Sequence, residues 1–203
     1  MKKRTLLRAN FLIVMAILIF TVGNGRALSQ LTVYFPIIMN GVEESPPINL
    51  APNPSFEIGT NFPVSWTTFS SGASYDWSDA TAHLGSRSIC ITDVSAYNEG
   101  YWITTNVIPI SPGKTIRMSV WAIGIEDLEN GMEVRYFNSS GNPAGTYSMD
   151  VDYNSSGWTN TEFNTTVPSS VTSLDLKLFA YNWDGNQSTS AWVCFDDVYF
   201  VIE

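Results

Sequence analysis

The chain has little of what metal centres and nucleophilic active sites are usually made from. Its 203 residues include one histidine, His83, and two cysteines, Cys90 and Cys194. Zinc takes sets of cysteine and histidine, so a zinc centre is argued against. A single histidine with no serine or cysteine nucleophile beside it is a poor general base, and a structural hydrogen bond is the ordinary fate of such a residue. Positive charge is scarce as well. Five of the ten basic residues, Lys2, Lys3, Arg4, Arg8 and Arg26, lie before residue 30 and no acid precedes Glu43, so removing that leader takes the net charge from −9 to −14. A surface of this sign repels phosphate backbones and anionic lipid, which leaves nucleic acid and membrane surfaces as poor partners. Long apolar runs are missing too. FLIVMAILIFTV, from Phe11 to Val22, is too short to span a bilayer comfortably. With cations before it and the small residues of GRALSQ after it, the run reads as a secretory signal peptide, residues 1–29, cleaved after Ser29. An uncleaved N-terminal anchor is the alternative, and no cysteine stands near Ser29 to carry a lipid. The expected location is extracellular, with no membrane insertion after processing.

Helical periodicity is the next absence. Residues 30–48 hold a short apolar cluster followed by acids and the pair Pro46-Pro47, which favours an extended tether. Its VYFPIIM stretch is equally compatible with an added edge strand. From Asn49 onward, short β-branched and aromatic runs alternate with Gly, Pro, Asn and Ser, an all-β signature. The clearest runs are SRSICITDV, YWITTNVIPI, TIRMSVWAIGI, GMEVRYFN, GTYSMDVDY, TNTEFNTTV, SLDLKLFAY and AWVCFDDVYFV. Turns are signalled by SPGK at 111–114, NSSGNPAG at 138–145 and WDGNQS at 183–188. Eight or nine strands in one domain, residues 49–203, predict a two-sheet β-sandwich or jelly roll.

Strand alternation assigns faces. In SLDLKLFAY, Leu174, Leu176, Leu178 and Ala180 share the core side, leaving Asp175, Lys177, Phe179 and Tyr181 outside. Ile116, Met118, Val120 and Ala122 point in while Arg117, Ser119 and Trp121 point out. Val134 and Tyr136 oppose Glu133, Arg135 and Phe137. In YWITTNVIPI the same rule sends Ile103 and Val107 inward and Trp102, Thr104 and Asn106 outward. The outward set mixes aromatic rings with planar polar groups and holds Arg117, Arg135 and Lys177, three of the five cations left after processing. Sugars need both kinds of group close together, because their C–H faces stack on rings while their hydroxyls form hydrogen bonds. The competing reading is a set of cross-strand ion pairs to Glu133 and Asp175 with the aromatics covered. A hydrolase would use Glu133 and Asp175 as its acid pair, but the adjacent cations hold both as carboxylates.

In an exported protein two cysteines in strand-like runs imply one disulfide, with two free thiols as the alternative. The stretch FDD places Asp196 and Asp197 inside an otherwise buried strand, where a carboxylate needs a partner. NPSFE, with Glu57 after Phe56, repeats the pattern at the start of the domain. Together the two carboxylates suit a hard cation such as Ca²⁺. The alternative is that Asp196 accepts backbone N–H bonds and Asp197 caps a turn.

The ordered set NPSFE, the tryptophan of PVSW, ATAHLGSRSICI, ISPGKTIRMSVWA, a GW before a strand and FDDVYF resembles the carbohydrate-binding modules of the cellulase-accessory type (CBM4/9-like), which have a galactose-binding-like jelly roll. The likeness runs from Asn49 to Glu203. It implies a structural calcium held by the side chains of Glu57 and Asp196 and the carbonyls of Ser55 and Arg87, although the acid some members carry at His83-Leu84 is absent here. It also implies a glycan cleft on the concave sheet face near Trp102, Tyr147 and Phe179, to which the alternation adds Arg135, Lys177 and Tyr181. If Arg87 and Asp196 approach one ion from neighbouring strands, Cys90 and Cys194 fall close to cross-strand register. The resulting expectation is a secreted, non-catalytic, calcium-stabilised module binding a poly- or oligosaccharide, alone or with an enzyme acting in trans. Its rival is a structural or adhesion module of the cell envelope. Solvent exposure of Trp102 and Phe179 separates them, buried rings favouring the rival.

Overall fold

The computed structural model describes residues 46–69, 72–125, 128–183 and 191–203. The expected signal peptide and the tether up to residue 45 lie outside the described residues, as does most of the 183–188 turn. Residues 44–203 form one compact unit.

The described residues contain strands and no helix. They are β1 (Trp66–Phe69), β2 (Ser74–Ser78), β3 (Ser88–Thr92), β4 (Glu99–Thr104), β5 (Ile108–Pro109), β6 (Thr115–Gly124), β7 (Glu129–Phe137), β8 (Pro143–Asp150), β9 (Thr159–Thr166), β10 (Ser173–Tyr181) and β11 (Trp192–Ile202). One antiparallel sheet has the order β1-β4-β10-β7-β8, with β5 also paired to β10. The other has the order β2-β3-β11-β6-β9. This is the two-sheet sandwich expected from the short β-branched runs.

The inner faces meet in one apolar core. Leu174, Leu176 and Leu178 from β10 and Ile116, Met118 and Val120 from β6 are fully buried in it, as the alternation predicts. Phe195 and Phe200 of β11 and Phe56 of the entry loop complete it. Burial of each such side chain stabilises by about 1.5–3 kcal/mol relative to exposure. The entry loop is tied to the last strand: Asn49 donates its amide to the Val198 carbonyl at 2.8 Å and accepts the Phe200 N–H at 2.9 Å.

Cys90 and Cys194 are bonded, and they sit directly opposite each other in the β3–β11 ladder. Their neighbours Ile89, Ile91, Val193 and Phe195 fill the core, so the bridge lies on the outer face of the five-stranded sheet. The bond spans 104 residues. In the chain-entropy model a closed loop of that size contributes up to roughly 4–5 kcal/mol.

Candidate functional site

The outer face of the six-stranded sheet can be read in rows across the strands, because residues in register share a face. One row runs Phe69, Tyr101, Phe179, Gly131, Asp150 over β1, β4, β10, β7 and β8. The next runs Thr67, Ile103, Lys177, Glu133, Ser148. A third holds Asp175, Arg135 and Thr146, and Tyr181 stands between Glu99 and Glu129 beyond the aromatic row.

The face therefore carries a strip of three rings flanked by charge. Phe69 and Tyr101 stack at 5.5 Å between centroids, and Phe69 is 67% exposed. The Lys177 ammonium lies 4.7 Å from the Tyr101 ring centre and 5.2 Å from that of Phe179. It pairs with Glu99 at 2.8 Å and Glu133 at 3.5 Å. Arg135 grips Asp175 with two hydrogen bonds, 2.9 and 2.6 Å. That hydrogen bonding raises the guanidinium pKa above its ordinary value. Burial pushes the Tyr101 hydroxyl up, opposed by Arg135 and aided by Glu99, Glu133 and Asp175. At the open end, Tyr181 lies 4.1 Å from Trp183, which is 57% exposed.

Several sequence expectations are corrected here. Trp102 is not on this face: it is fully buried between the sheets and donates its indole N–H to the Cys90 carbonyl at 3.1 Å. Gly100, Trp102 and Thr104 form the inner side of β4, so Tyr101 and Ile103 are its outer side. β4 ends at Thr104, and Val107, expected inside, is 51% exposed beyond it. The phase was carried across a strand end, and a one-residue error exchanges the faces. Tyr147 is also corrected. It opposes the buried Val134, packs against the core and faces Phe163 of the other sheet at 6.4 Å. Arg117 and Trp121 do point outward, but from β6, so they lie on the opposite outer face. Arg135, Lys177, Phe179 and Tyr181 are brought together, although Phe179 is only 6% exposed. Tyr101 and Phe69 were missed. The register signal for Tyr101 was present in β10, since Phe179 is outward and Tyr101 opposes it.

The four residues expected to hold calcium are arranged around the loop 83–87 in a different way. Asp196 is fully buried. Its Oδ2 accepts the N–H groups of His83 at 2.8 Å and Leu84 at 3.3 Å, and its Oδ1 accepts that of Asp197 at 2.7 Å. Burial pushes its pKa up to about 6, against the pull of these donors. Glu57 Oε1 accepts the N–H groups of Ser86 and Arg87, both at 2.8 Å, and Oε2 accepts the Ser86 hydroxyl at 2.8 Å. Burial works to raise the Glu57 pKa, but these hydrogen bonds and the Arg87 charge outweigh it and leave it below its ordinary value. Ser55 lies in the turn closed by the Phe56 N–H on the Asn53 carbonyl.

A calcium shell is made of oxygens. The loop turns N–H groups toward both carboxylates, and the backbone of Arg87 reaches Glu57 as a donor. The residues as arranged do not fit the ion. His83 completes the clamp: its Nδ1 lies 2.7 Å from Asp197 and its ring stacks on Trp121 at 3.7 Å, a structural role as its sequence context implies. β11 bulges between Asp196 and Tyr199, with Asp197 at φ +46°, and that irregularity lets two consecutive carboxylates reach the same loop.

No family model matches the chain, and no curated protein matches it. Solved structures do. The chain is similar to the enzymatically active domain of tailspike protein 4 of bacteriophage CBA120, at 13% identity and TM-score 0.57, over 77% of this chain and 22% of that one. It is similar to the CBM22-1–GH10 modules of xylanase 10B of Clostridium thermocellum, complexed with xylohexaose, at 14% and 0.53, over 74% and 27%. It is also similar to the CBM22-2 xylan-binding domain of Paenibacillus barcinonensis Xyn10C, at 14% and 0.51, over 74% and 98%. The chain thus spans about a quarter of the first two and nearly all of the third. At such identities the likeness is one of fold alone, the two-sheet antiparallel β-sandwich that these structures share with the chain.

Proposed function

We propose that the protein is an exported, non-catalytic module that binds an uncharged glycan across the outer face of its six-stranded sheet. The observation that carries this reading is the Phe69–Tyr101 stack, an aromatic pair partly open to solvent on a rigid sheet and beside a row of fixed polar groups. Rings give a sugar its apolar platform, and the carboxylates and amines beside them offer hydrogen bonds. Both cations of the face are engaged by carboxylates, and Glu129 and Asp150 add further negative charge, which disfavours an acidic polysaccharide. Glu133 and Asp175 are each held by a cation, so neither is free to act as a general acid. The resemblance to cellulase-accessory modules and the fold shared with xylan-binding domains support the same reading. A module of this kind acts by itself or beside an enzyme in trans.

A structural module of the cell envelope is the second reading, favoured by the burial of Trp102 and Phe179 and by the closed ion-pair network around Lys177. Affinity electrophoresis of the purified protein in gels containing xylan, β-glucan, galactan or polygalacturonate separates the two. Retardation by a neutral polysaccharide that disappears in Tyr101→Ala supports glycan binding. Unretarded migration in all four gels supports the envelope module.

A further inference from the structure

A hollow of about 320 Å³ lies on the outer face of the other sheet, the five-stranded one. Its floor is the Cys90–Cys194 bridge with Thr92, and its opposite walls are Asp76 on β2 and Trp192 on β11, with Thr81 of the following loop at one side. Register explains the arrangement. Asp76, Cys90 and Cys194 form one row across three neighbouring strands, and Ser74, Thr92 and Trp192 form the next. β2 and β11 flank β3, so carboxylate and indole are carried on strands about 10 Å apart with an apolar floor between them.

Two polar groups of this hollow are unspent. Asp76 is exposed and makes no hydrogen bond or ion pair among the described residues. Among the described residues the indole N–H of Trp192 also has no acceptor, as is true of Trp121 and Trp158, whereas Trp66, Trp77 and Trp102 each spend theirs on a main-chain carbonyl. A cation would need several oxygens, and among the described residues Asp76 is the only carboxylate lining the hollow. A hydrocarbon would leave the carboxylate and the N–H unanswered.

The complement of this set is a pyranose ring. Its C–H face would rest on Trp192 and the disulfide, two adjacent hydroxyls would donate to Asp76, and a ring or hydroxyl oxygen would accept the indole N–H. We propose that the hollow is a second carbohydrate site, taking a single terminal or branching residue of a neutral sugar. The inference does not depend on the six-stranded sheet binding anything. The two faces look in opposite directions, so one straight glycan cannot fill both, and a protein using both would cross-link separate chains.

Saturation-transfer NMR on the purified protein tests it, with the methyl glycosides of glucose, galactose, mannose, xylose and arabinose at millimolar concentration. At least one is expected to bind the Tyr101→Ala protein, in which the six-stranded face is disabled, with affinity lowered tenfold or more when Asp76→Asn or Trp192→Ala is added. Asp76→Asn is a near-isosteric change at an exposed position and carries the test should Trp192→Ala fail to fold. The proposal is overturned if no glycoside binds in the Tyr101→Ala background, or if binding there survives Asp76→Asn. Loss of polysaccharide retardation in Tyr101→Ala reports on the six-stranded face alone, so the two readings fail separately.

Discussion

Gly131 lies beneath the ring of Phe179. The two are opposed in the β7–β10 ladder, and a Cβ at 131 would come within 2.6 and 2.7 Å of the ring's Cζ and Cε1, with the Met149 carbonyl closer still. With no side chain at 131 the ring closes over that position, and Phe179 is buried although its strand position faces outward. Gly131→Ala should therefore force the ring or the β8 backbone to move, at a cost of about 1–3 kcal/mol. Urea denaturation measures this, and unchanged stability would mean that the ring is not held down there.

Trp102 and Tyr101 are neighbours with opposite duties. Truncating a fully buried tryptophan should cost about 3–5 kcal/mol, so Trp102→Ala should lower the melting temperature sharply. Tyr101→Ala gives up a partly exposed ring pair worth about 0.5–1.5 kcal/mol and should lower the melt far less than Trp102→Ala, while removing retention by polysaccharide. The reverse pattern in melting and gel retardation would return Trp102 to the surface.

How much of this was legible in the sequence follows from the range of the interactions involved. β10 gave its faces correctly because SLDLKLFAY alternates without a break from one end to the other. β4 did not, because its alternation was carried through the turn after Thr104. β1 and β2, four and five residues long, are too short to stand out as runs. Arg117 and Arg135 looked like members of one face because alternation tells in from out but not which sheet a strand joins, a matter of pairing between distant segments. The disulfide was legible from two cysteines in strand-like runs together with the expected export signal. That Asp196 accepts backbone N–H bonds stood open as the alternative to a metal, but which loop serves it and Glu57 was not legible, because most of the donors are main-chain N–H groups, which every residue but proline possesses.

Removal of metal tests the clamp around residues 83–87. With Glu57 and Asp196 both turned toward N–H donors, a chelator such as EDTA should leave the melting temperature within about 1 °C. A calcium ion held only by the native state would instead stabilise it by about 2.7 kcal/mol at a hundredfold excess over its Kd. A fall of several degrees on chelation, restored by Ca²⁺ and absent in Glu57→Gln, would reinstate the ion and require the loop to turn its carbonyls inward.

The buried carboxylate also fixes a pH dependence, whose sign follows from linkage. Asp196 has a folded-state pKa raised from 3.8 to about 6 by burial, so the native chain binds its proton more tightly than the unfolded chain does. Its contribution is fully present below the unfolded value and is lost as pH rises from about 4 through 6, up to roughly 3 kcal/mol for a shift of this size. Glu57 acts in the opposite sense: its pKa is lowered, so its contribution is present above the unfolded value of 4.5 and is lost as pH falls below that. Asp196→Asn removes the first dependence and keeps one acceptor oxygen for the loop. The parent should therefore lose stability relative to Asp196→Asn between pH 4 and 7, while the two run parallel above pH 7. Urea titrations at unit pH intervals measure the difference, and parallel profiles across pH 4 to 7 would show that Asp196 is solvated rather than sealed beneath the loop.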